Sequence, residues 1–295
     1  MPPREDAMVM TVIPSSGWGH LLLAVLGMLV LAALFAGCVG ERQAAAAAQT
    51  ISVVGSTTVL PVAQLAADEF MNTHPYADIQ VSGGGSSVGI RAVGERTADI
   101  GMASRGLRDA EKARYPDLVD HPIAVDAIAI IVHPDNPVGS LTLDQLRAIY
   151  NGSITSWRDA GGTDQQIVVV GRDSASGTRE TFSEVVMEKE SFAPAQLEKN
   201  SNGAVKQTVA RTPGAIGYVG LGYLDDTVKA VPIDPGGAPV APTIENVRNA
   251  RYPISRSLHM FTRGEPEGLA EEYIGFLLGD EGQRIVEEEG FVGIA

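Results

Sequence analysis

Three times in this chain a short β-branched run breaks into a loop of Gly, Ser and Thr and then opens a helical pattern. Residues 51–54 lead into Gly55-Ser56-Thr57-Thr58 and a helix predicted over 59–71. Residues 79–81 lead into Ser82-Gly83-Gly84-Gly85-Ser86-Ser87 and a helix over 88–94, and residues 167–170 lead into Gly171-Arg172-Asp173-Ser174-Ala175-Ser176-Gly177-Thr178 and a helix over 179–187. A chain that keeps alternating in this way can bury its apolar faces only as α/β layers. Each junction gathers unpaired backbone N–H groups, hydroxyls and the positive end of a helix at one point, an arrangement that suits an anion. Taken singly, each also reads as an ordinary capped helix. Arg172 adds a planar cationic fork matched to an oxyanion, and three such loops together with Arg172 and Arg105 favour a binding site over three independent caps. None is a nucleotide-cradling loop, because no Gly-Lys-Ser/Thr follows.

Between these units the same alternation continues. Residues 99–103 read as a buried strand ending in Ser104-Arg105, and 107–113 as a polar helix. Residues 123–132 are apolar on both faces, as a central strand is, yet contain Asp126, which must sit at the strand's start in solvent or be held by a partner. His133-Pro134-Asp135-Asn136-Pro137 marks a turn or crossover. Residues 141–150 predict a helix capped by Thr142, and 153–162 a loop holding Trp157. A helix over 205–210, strands at 215–219, near 229–232 and at 257–261, and one long amphipathic helix over 269–287 complete the pattern.

Chemistry of other kinds is poorly supported. At 295 residues the chain is long enough for two domains. Its net charge of −14 argues against a nucleic-acid partner, which calls for a basic face. His20, His74, His121, His133 and His259 show no metal-ligand spacing, and His259 is expected near an interface between lobes. Ser176, the one tempting nucleophile, lacks a Gly-x-Ser-x-Gly elbow. The expectation is therefore a binding protein with no cofactor, no metal and no catalytic activity.

The single cysteine, Cys38, excludes an intramolecular disulfide. It follows sixteen uncharged apolar residues, 21–36, a length that suits a signal-peptide core better than a spanning helix of roughly 20 residues. Residues 1–37 are read as a signal peptide cut before a lipid-bearing Cys38, with 38–50 as a tether; an uncleaved anchor is the alternative. Either places the remainder outside the cytoplasmic membrane. Beyond residue 50 the chain still carries 20 Lys and Arg against 33 Asp and Glu.

Several blocks together resemble one family, the phosphate-binding lipoproteins that deliver phosphate to the Pst-type ABC transporter. They are Gly55-Ser56-Thr57-Thr58, Gly85-Ser86-Ser87-Val88-Gly89, Asp99-Ile100-Gly101-Met102-Ala103-Ser104-Arg105, residues 126–136, residues 141–157 with Leu141-Thr142, Gln145-Leu146 and Trp157, Ser176-Gly177-Thr178, and Pro213-Gly214-Ala215-Ile216-Gly217-Tyr218-Val219. The resemblance implies an α/β, two-lobed fold of the periplasmic-binding-protein type (type II) with two crossover strands, placed near Ile130 and Ile254. Residues 51–129 and 254–295 would form lobe one and 130–253 lobe two. Carried over by position, the ligand groups are the Thr57 hydroxyl, the Thr58 backbone N–H, flanked by Ser56, and Ser86 with its helix end in lobe one. In lobe two they are Arg172, Ser176, Gly177 and Thr178. Some members place an aspartate, the acceptor of the phosphate's proton, where Arg105 stands here. Asp126 is then expected to supply that acceptor, with Arg105 bonding the phosphate or pairing with Asp126. The implied partners are inorganic phosphate, the permease and ATPase of an ABC importer, and the membrane through a lipid anchor, with a monomer expected. A binding protein for sulfate, tungstate or molybdate, or a phosphate sensor or adhesin, is the alternative.

Overall fold

A computed structural model describes residues 48–294. The signal peptide expected over 1–37 and Cys38 lie outside the described residues. Among the described residues no helix is long and apolar enough to cross a membrane.

Lobe one is built on β1 (Gln49–Gly55), β2 (Ala77–Gly83) and β3 (Ile100–Ala103), all parallel, with β1 between the other two. The helices α1 (Leu60–Thr73) and α2 (Ser86–Gly94) connect them, each starting where a strand ends in a Gly/Ser/Thr loop. Gln49 and Thr50 belong to β1, so the tether expected over 38–50 gives way to strand two residues early, drawn in by pairing with Ala77 and Asp78. The short polar α3 (Asp109–Arg114) leads into β4 (Leu118–Val132).

The fifteen residues of β4 organise the molecule. From Leu118 to Ala127 it pairs antiparallel with β11 (Ser255–Arg263), whose other edge closes on β3. From Ile128 to Val132 it pairs instead with β8 (Ala215–Gly220), and over its last residues also with β9 (Lys229–Val231). The change of partners falls between Ala127 and Ile128, and the chain returns at Ile254 and Ser255. One curled sheet, β2-β1-β3-β11-β4-β8-β6-β7, therefore runs through both lobes. At its far end β6 (Val168–Arg172) lies parallel between β8 and the edge strand β7 (Leu197–Lys199). From Asp126 to Val132 every residue of β4 is buried, as the apolar run required.

Each lobe has its own core. In lobe one Val53, Phe70, Ile100, Met102, Leu258 and Tyr273 pack together; in lobe two Ile130, Trp157, Phe182 and Tyr218 do. The ring of Phe182 stacks on Tyr218 at 4.3 Å, fixing the helix α5 (Gly177–Val185) against the sheet.

Two expected helices differ from the reading of the sequence. Leu141 and Thr142 form β5, paired with β10 (Ile233–Asp234), and α4 (Leu143–Tyr150) starts after them. Thr142 is the cap of α4, its hydroxyl accepting the Gln145 amide. The amphipathic run 269–287 breaks at Gly279 into α8 (Leu269–Leu278) and α9 (Asp280–Glu288), after α6 (Asn202–Arg211) and α7 (Ile244–Arg248). Gly279 takes an extended backbone, and Gly282 lies so close to the backbone of Leu277 that a Cβ there would meet it at 2.3 Å. A continuous helical period hides such a break because the apolar stripe keeps its face on either side.

Candidate functional site

The loops picked out by composition face one another across the cleft. In lobe two, the residue after Ser176 must lack a side chain: a Cβ on Gly177 would stand 2.4 Å from Ser86 Oγ and 2.9 Å from Ser104 Oγ, both in lobe one. Gly85, at φ +96°, makes the matching approach, since a Cβ there would meet the Ala175 carbonyl at 2.7 Å. Next to it the Ser87 amide donates to the same carbonyl at 3.1 Å. Thr58 Oγ1 lies 3.2 Å from Thr178 Oγ1, so the first and third loops also touch directly.

Most of the expected residues are buried here: Ser56, Thr57, Thr58, Ser86, Arg172, Ser176 and Thr178. Several are already partly engaged. Ser56 Oγ accepts the Thr58 amide at 3.2 Å, which commits the N–H expected for the ligand to a local turn. Ser86 Oγ accepts the Ser104 amide and lies 3.3 Å from Ser104 Oγ, and Ser176 Oγ caps α5 by accepting the Arg179 amide, leaving the Ser176 hydroxyl proton free to point elsewhere. The Arg172 guanidinium is 1% exposed and donates only to carbonyls, from Nε to Lys199 and from Nη2 to Asn200. Burial pulls its pKa down from the usual arginine value, with the Arg256 charge adding to that, while Asp173 opposes it.

Arg105 does not pair with Asp126, one of the two arrangements expected for it. Its two Nη atoms grip Glu111 at 2.7 and 2.8 Å, and Nη2 also donates to Ser87 Oγ. Nε lies 2.5 Å from Glu180 Oε2 on α5, and Arg108 pairs with the same carboxylate. The chain turns away after Ser104 and α3 brings Glu111 up behind Arg105, so the guanidinium is drawn to the rim, where it spans from lobe one to lobe two. Burial alone would raise the Glu111 carboxyl, but hydrogen bonds from Arg105 and the Arg108 amide hold it below the usual range.

Asp126 has a different partner, Arg256 of β11. The two stand opposite each other in the antiparallel register, the last such pair but one before β4 changes lobes. Arg256 Nε and Nη2 both reach Asp126 Oδ2, at 3.0 and 2.8 Å, and the Leu221 amide donates to Oδ1 at 2.9 Å. Asp126 is fully buried, which pushes its carboxyl above the usual carboxylate pKa against the pull of Arg256 and the Leu221 amide. Arg256 Nη2 also donates to Thr58 Oγ1 at 3.2 Å.

A fourth helix start joins the cleft. Ser201 caps α6, and fully buried Asn202 donates from Nδ2 to Thr57 Oγ1 at 3.1 Å and Thr58 Oγ1 at 3.0 Å while its Oδ1 accepts the Gly220 amide. Tyr223 donates its hydroxyl to the Thr57 carbonyl at 2.5 Å; burial lifts its pKa to about 12, so it stays a donor. Sequence reasoning passed over Asn202, Tyr223, Ser104 and Arg256. For Asn202 a signal existed: Asn200-Ser201-Asn202-Gly203 repeats the small polar loop before a helix. His259, expected near a lobe interface, instead pairs with Asp120 inside the lobe-one sheet, 2.7 Å from its carboxylate. Among the described residues no cluster of His, Cys, Asp and Glu has the makings of a metal centre.

The cleft thus offers hydroxyl and backbone donors, four helix N-termini and buried guanidinium groups, a chemistry suited to binding a small anion and devoid of an activated nucleophile. Comparison with known proteins agrees. Residues 40–281 match the model of the PBP superfamily domain. The chain is 38% identical over 257 residues to the phosphate-binding protein PstS of Bacillus subtilis, covering 86% of this chain and 83% of that one. A phosphate-bound structure from Clostridium perfringens, described as a phosphate ABC transporter substrate-binding protein, superposes with a TM-score of 0.78 at 38% identity, covering 84% of this chain and all of that one. An ABC-type phosphate transport receptor from Vibrio cholerae gives 0.68 at 32% identity, covering 83% of this chain and all of the other. The chain belongs to the PBP superfamily and, within it, to the family of PstS phosphate-binding proteins.

Proposed function

We propose that this protein captures inorganic phosphate between its two lobes outside the cytoplasmic membrane and delivers it to the permease and ATPase of an ABC importer. The observation that carries the reading is the meeting of the turn at Thr58, just before α1, with the helix starts at Ser86, Gly177 and Asn202, around hydroxyls and the carbonyl-held guanidinium of Arg172. In this reading Thr57, Thr58 and Ser86 serve the anion from lobe one, and Arg172, Ser176, Gly177 and Thr178 from lobe two. Asp126 accepts the proton that phosphate still carries near neutral pH, a role Arg105 leaves open by facing the rim. Such an acceptor discriminates against sulfate, because a fully ionised oxygen placed against a carboxylate meets only repulsion. Cys38 carries the lipid that tethers a monomeric binding protein to the outer face of the membrane.

Calorimetric titration with phosphate, sulfate and molybdate from pH 5 to about 9 tests this, since it spans the second ionisation of a phosphoryl group near pH 6. Phosphate, which keeps at least one proton to donate throughout this range, is expected to bind more tightly than fully ionised sulfate at every pH. Equal affinity for sulfate would reject phosphate specificity. Mass spectrometry of the membrane-bound chain tests the anchor: a diacylglyceryl group on a new N-terminal Cys38 is expected, and an intact leader would refute it.

A further inference from the structure

We infer that Arg256 is itself an anion-binding residue, a second guanidinium in the cleft whose end-on fork takes an oxygen of the bound oxyanion beside Thr58. This rests on the reading of the cleft as an oxyanion site, but the residue comes from β11, 84 positions beyond Arg172, and lies in none of the loops that the composition marked out.

A guanidinium presents five N–H donors on two faces, a side face made by Nε and one Nη, and an end face shared by both Nη atoms. Asp126 Oδ2 occupies the side face, being within 3.0 Å of both Nε and Nη2. The remaining proton of Nη2 therefore belongs to the end face, and it is this one that reaches Thr58 Oγ1. Nη1 shares that face. It is shut off from solvent and has no hydrogen-bond partner in the protein. A charged donor left in that condition costs more than a typical hydrogen bond contributes, and such an atom calls for a ligand. The hydroxyl beside it, Thr58 Oγ1, is the one that meets Thr178 Oγ1 from the other lobe, so the unsatisfied edge stands at the seam where the two lobes meet.

Charge balance points the same way. Arg172 and Arg256 are both buried, the Arg256 charge helps lower the Arg172 pKa, and Arg256 has a carboxylate in contact, Asp126. Asp173 offsets Arg172 from a half-buried position, so two sealed guanidinium groups face one sealed carboxylate, and a buried excess of charge calls for a counter-ion. A dianion or monoanion held between the two forks supplies it. Asp126 then has a second effect: by occupying the side face it fixes the end face toward Thr58, so the pair works as one oriented donor.

The test uses the full-length chain, Arg256→Lys and Arg256→Gln, with thermal melting to establish folding and titration with phosphate, sulfate and molybdate. Lysine keeps a cation opposite Asp126 but has one nitrogen, which cannot serve carboxylate and anion along two faces. About a tenfold or greater rise in Kd is expected in Arg256→Lys, the scale of a charged hydrogen bond, with melting close to that of the parent. A folded Arg256→Lys or Arg256→Gln with unchanged affinity overturns the proposal. If both variants fail to fold, a crystal structure of the parent with phosphate decides: Nη1 within hydrogen-bond distance of an anion oxygen supports it, and a fully protein-bound or remote Nη1 refutes it. Parent protein that binds sulfate or molybdate but not phosphate overturns the phosphate reading alone, and the variants are then judged with that anion. Failure to bind any of the three overturns both.

Discussion

Two arginines of lobe one meet carboxylates near the same cleft, and they do so in opposite settings. Arg105 sits near the rim and is itself only 6% exposed, but its partners Glu111, Glu180 and the neighbouring Arg108 keep 16%, 19% and 44% of their side-chain exposure. Arg256 sits on the floor against Asp126, which keeps none. At the rim water reaches Arg108 and the edges of Glu111 and Glu180, so the network is partly screened although the Arg105 guanidinium itself is buried. On the floor neither charge has an alternative partner in solvent, so the pair is costly to break even though its net contribution is modest. The rim network can open and close with the lobes, because Glu180 on α5 gains water when it leaves Arg105 and Arg108. The floor pair joins two strands of one sheet and holds whether the lobes are together or apart.

Asp126→Ala gives the largest effect that would sharpen this contrast. It strands Arg256 in the interior and is expected to cost about 3–5 kcal/mol of stability by denaturant unfolding. The double variant Asp126→Leu with Arg256→Met should recover most of that loss, and a single variant as mild as a rim substitution would break the contrast. Arg172→Ala should weaken phosphate binding by about 1.5–3 kcal/mol in calorimetry, since it removes charged hydrogen bonds. A change under half that would place Arg172 outside the site. Gly177→Ala puts a methyl 2.4 Å from Ser86 Oγ, and overpacking of the seam should cost about 1–3 kcal/mol, read as weaker phosphate binding with little change in lobe stability.

Glu180→Gln is expected to be milder, about 0.2–1 kcal/mol of phosphate affinity, expressed as faster release in stopped flow. The difference from the parent should shrink toward zero near 1 M salt, where the Debye length falls to about 3 Å. A salt-independent loss would mean that Glu180 acts through packing. The subtlest test is pH. The Glu111 carboxyl is held low, so its contribution is complete above the ordinary carboxylate pKa and fades as pH falls through its lower folded value. The Asp126 carboxyl is raised, so the folded state holds its proton longer, and stability falls as pH rises from the ordinary value through the raised one. Comparing melting curves of Glu111→Gln and Asp126→Asn with the parent should therefore show differences of opposite slope, below and above the ordinary carboxylate range; parallel slopes would contradict the two settings.

Local chemistry made much of this molecule legible. The strand, small-polar-loop, helix units at Ser56, Ser86 and Ser176 appear in the fold where their residues place them, because capping and β-propensity act over a few positions. Arg172 stayed with its loop for the same reason. Arg105 was placed in the site because it ends a strand that points there, but the turn after Ser104 and the arrival of Glu111 one helix later drew it to the rim.

The sequence by itself therefore determined the layered α/β class, the loops of the cleft and one cation among them, all consequences of patterns shorter than a dozen residues. Only the tertiary structure decided which charges meet. Asp126 and Arg256 lie 130 positions apart and become neighbours through the antiparallel register of β4 and β11, and Asn202 reaches Thr57 and Thr58 only because the curled sheet brings the start of α6 across from α1. A buried charge takes its partner from whatever strand the sheet sets opposite it, and strand order is a property of the whole chain.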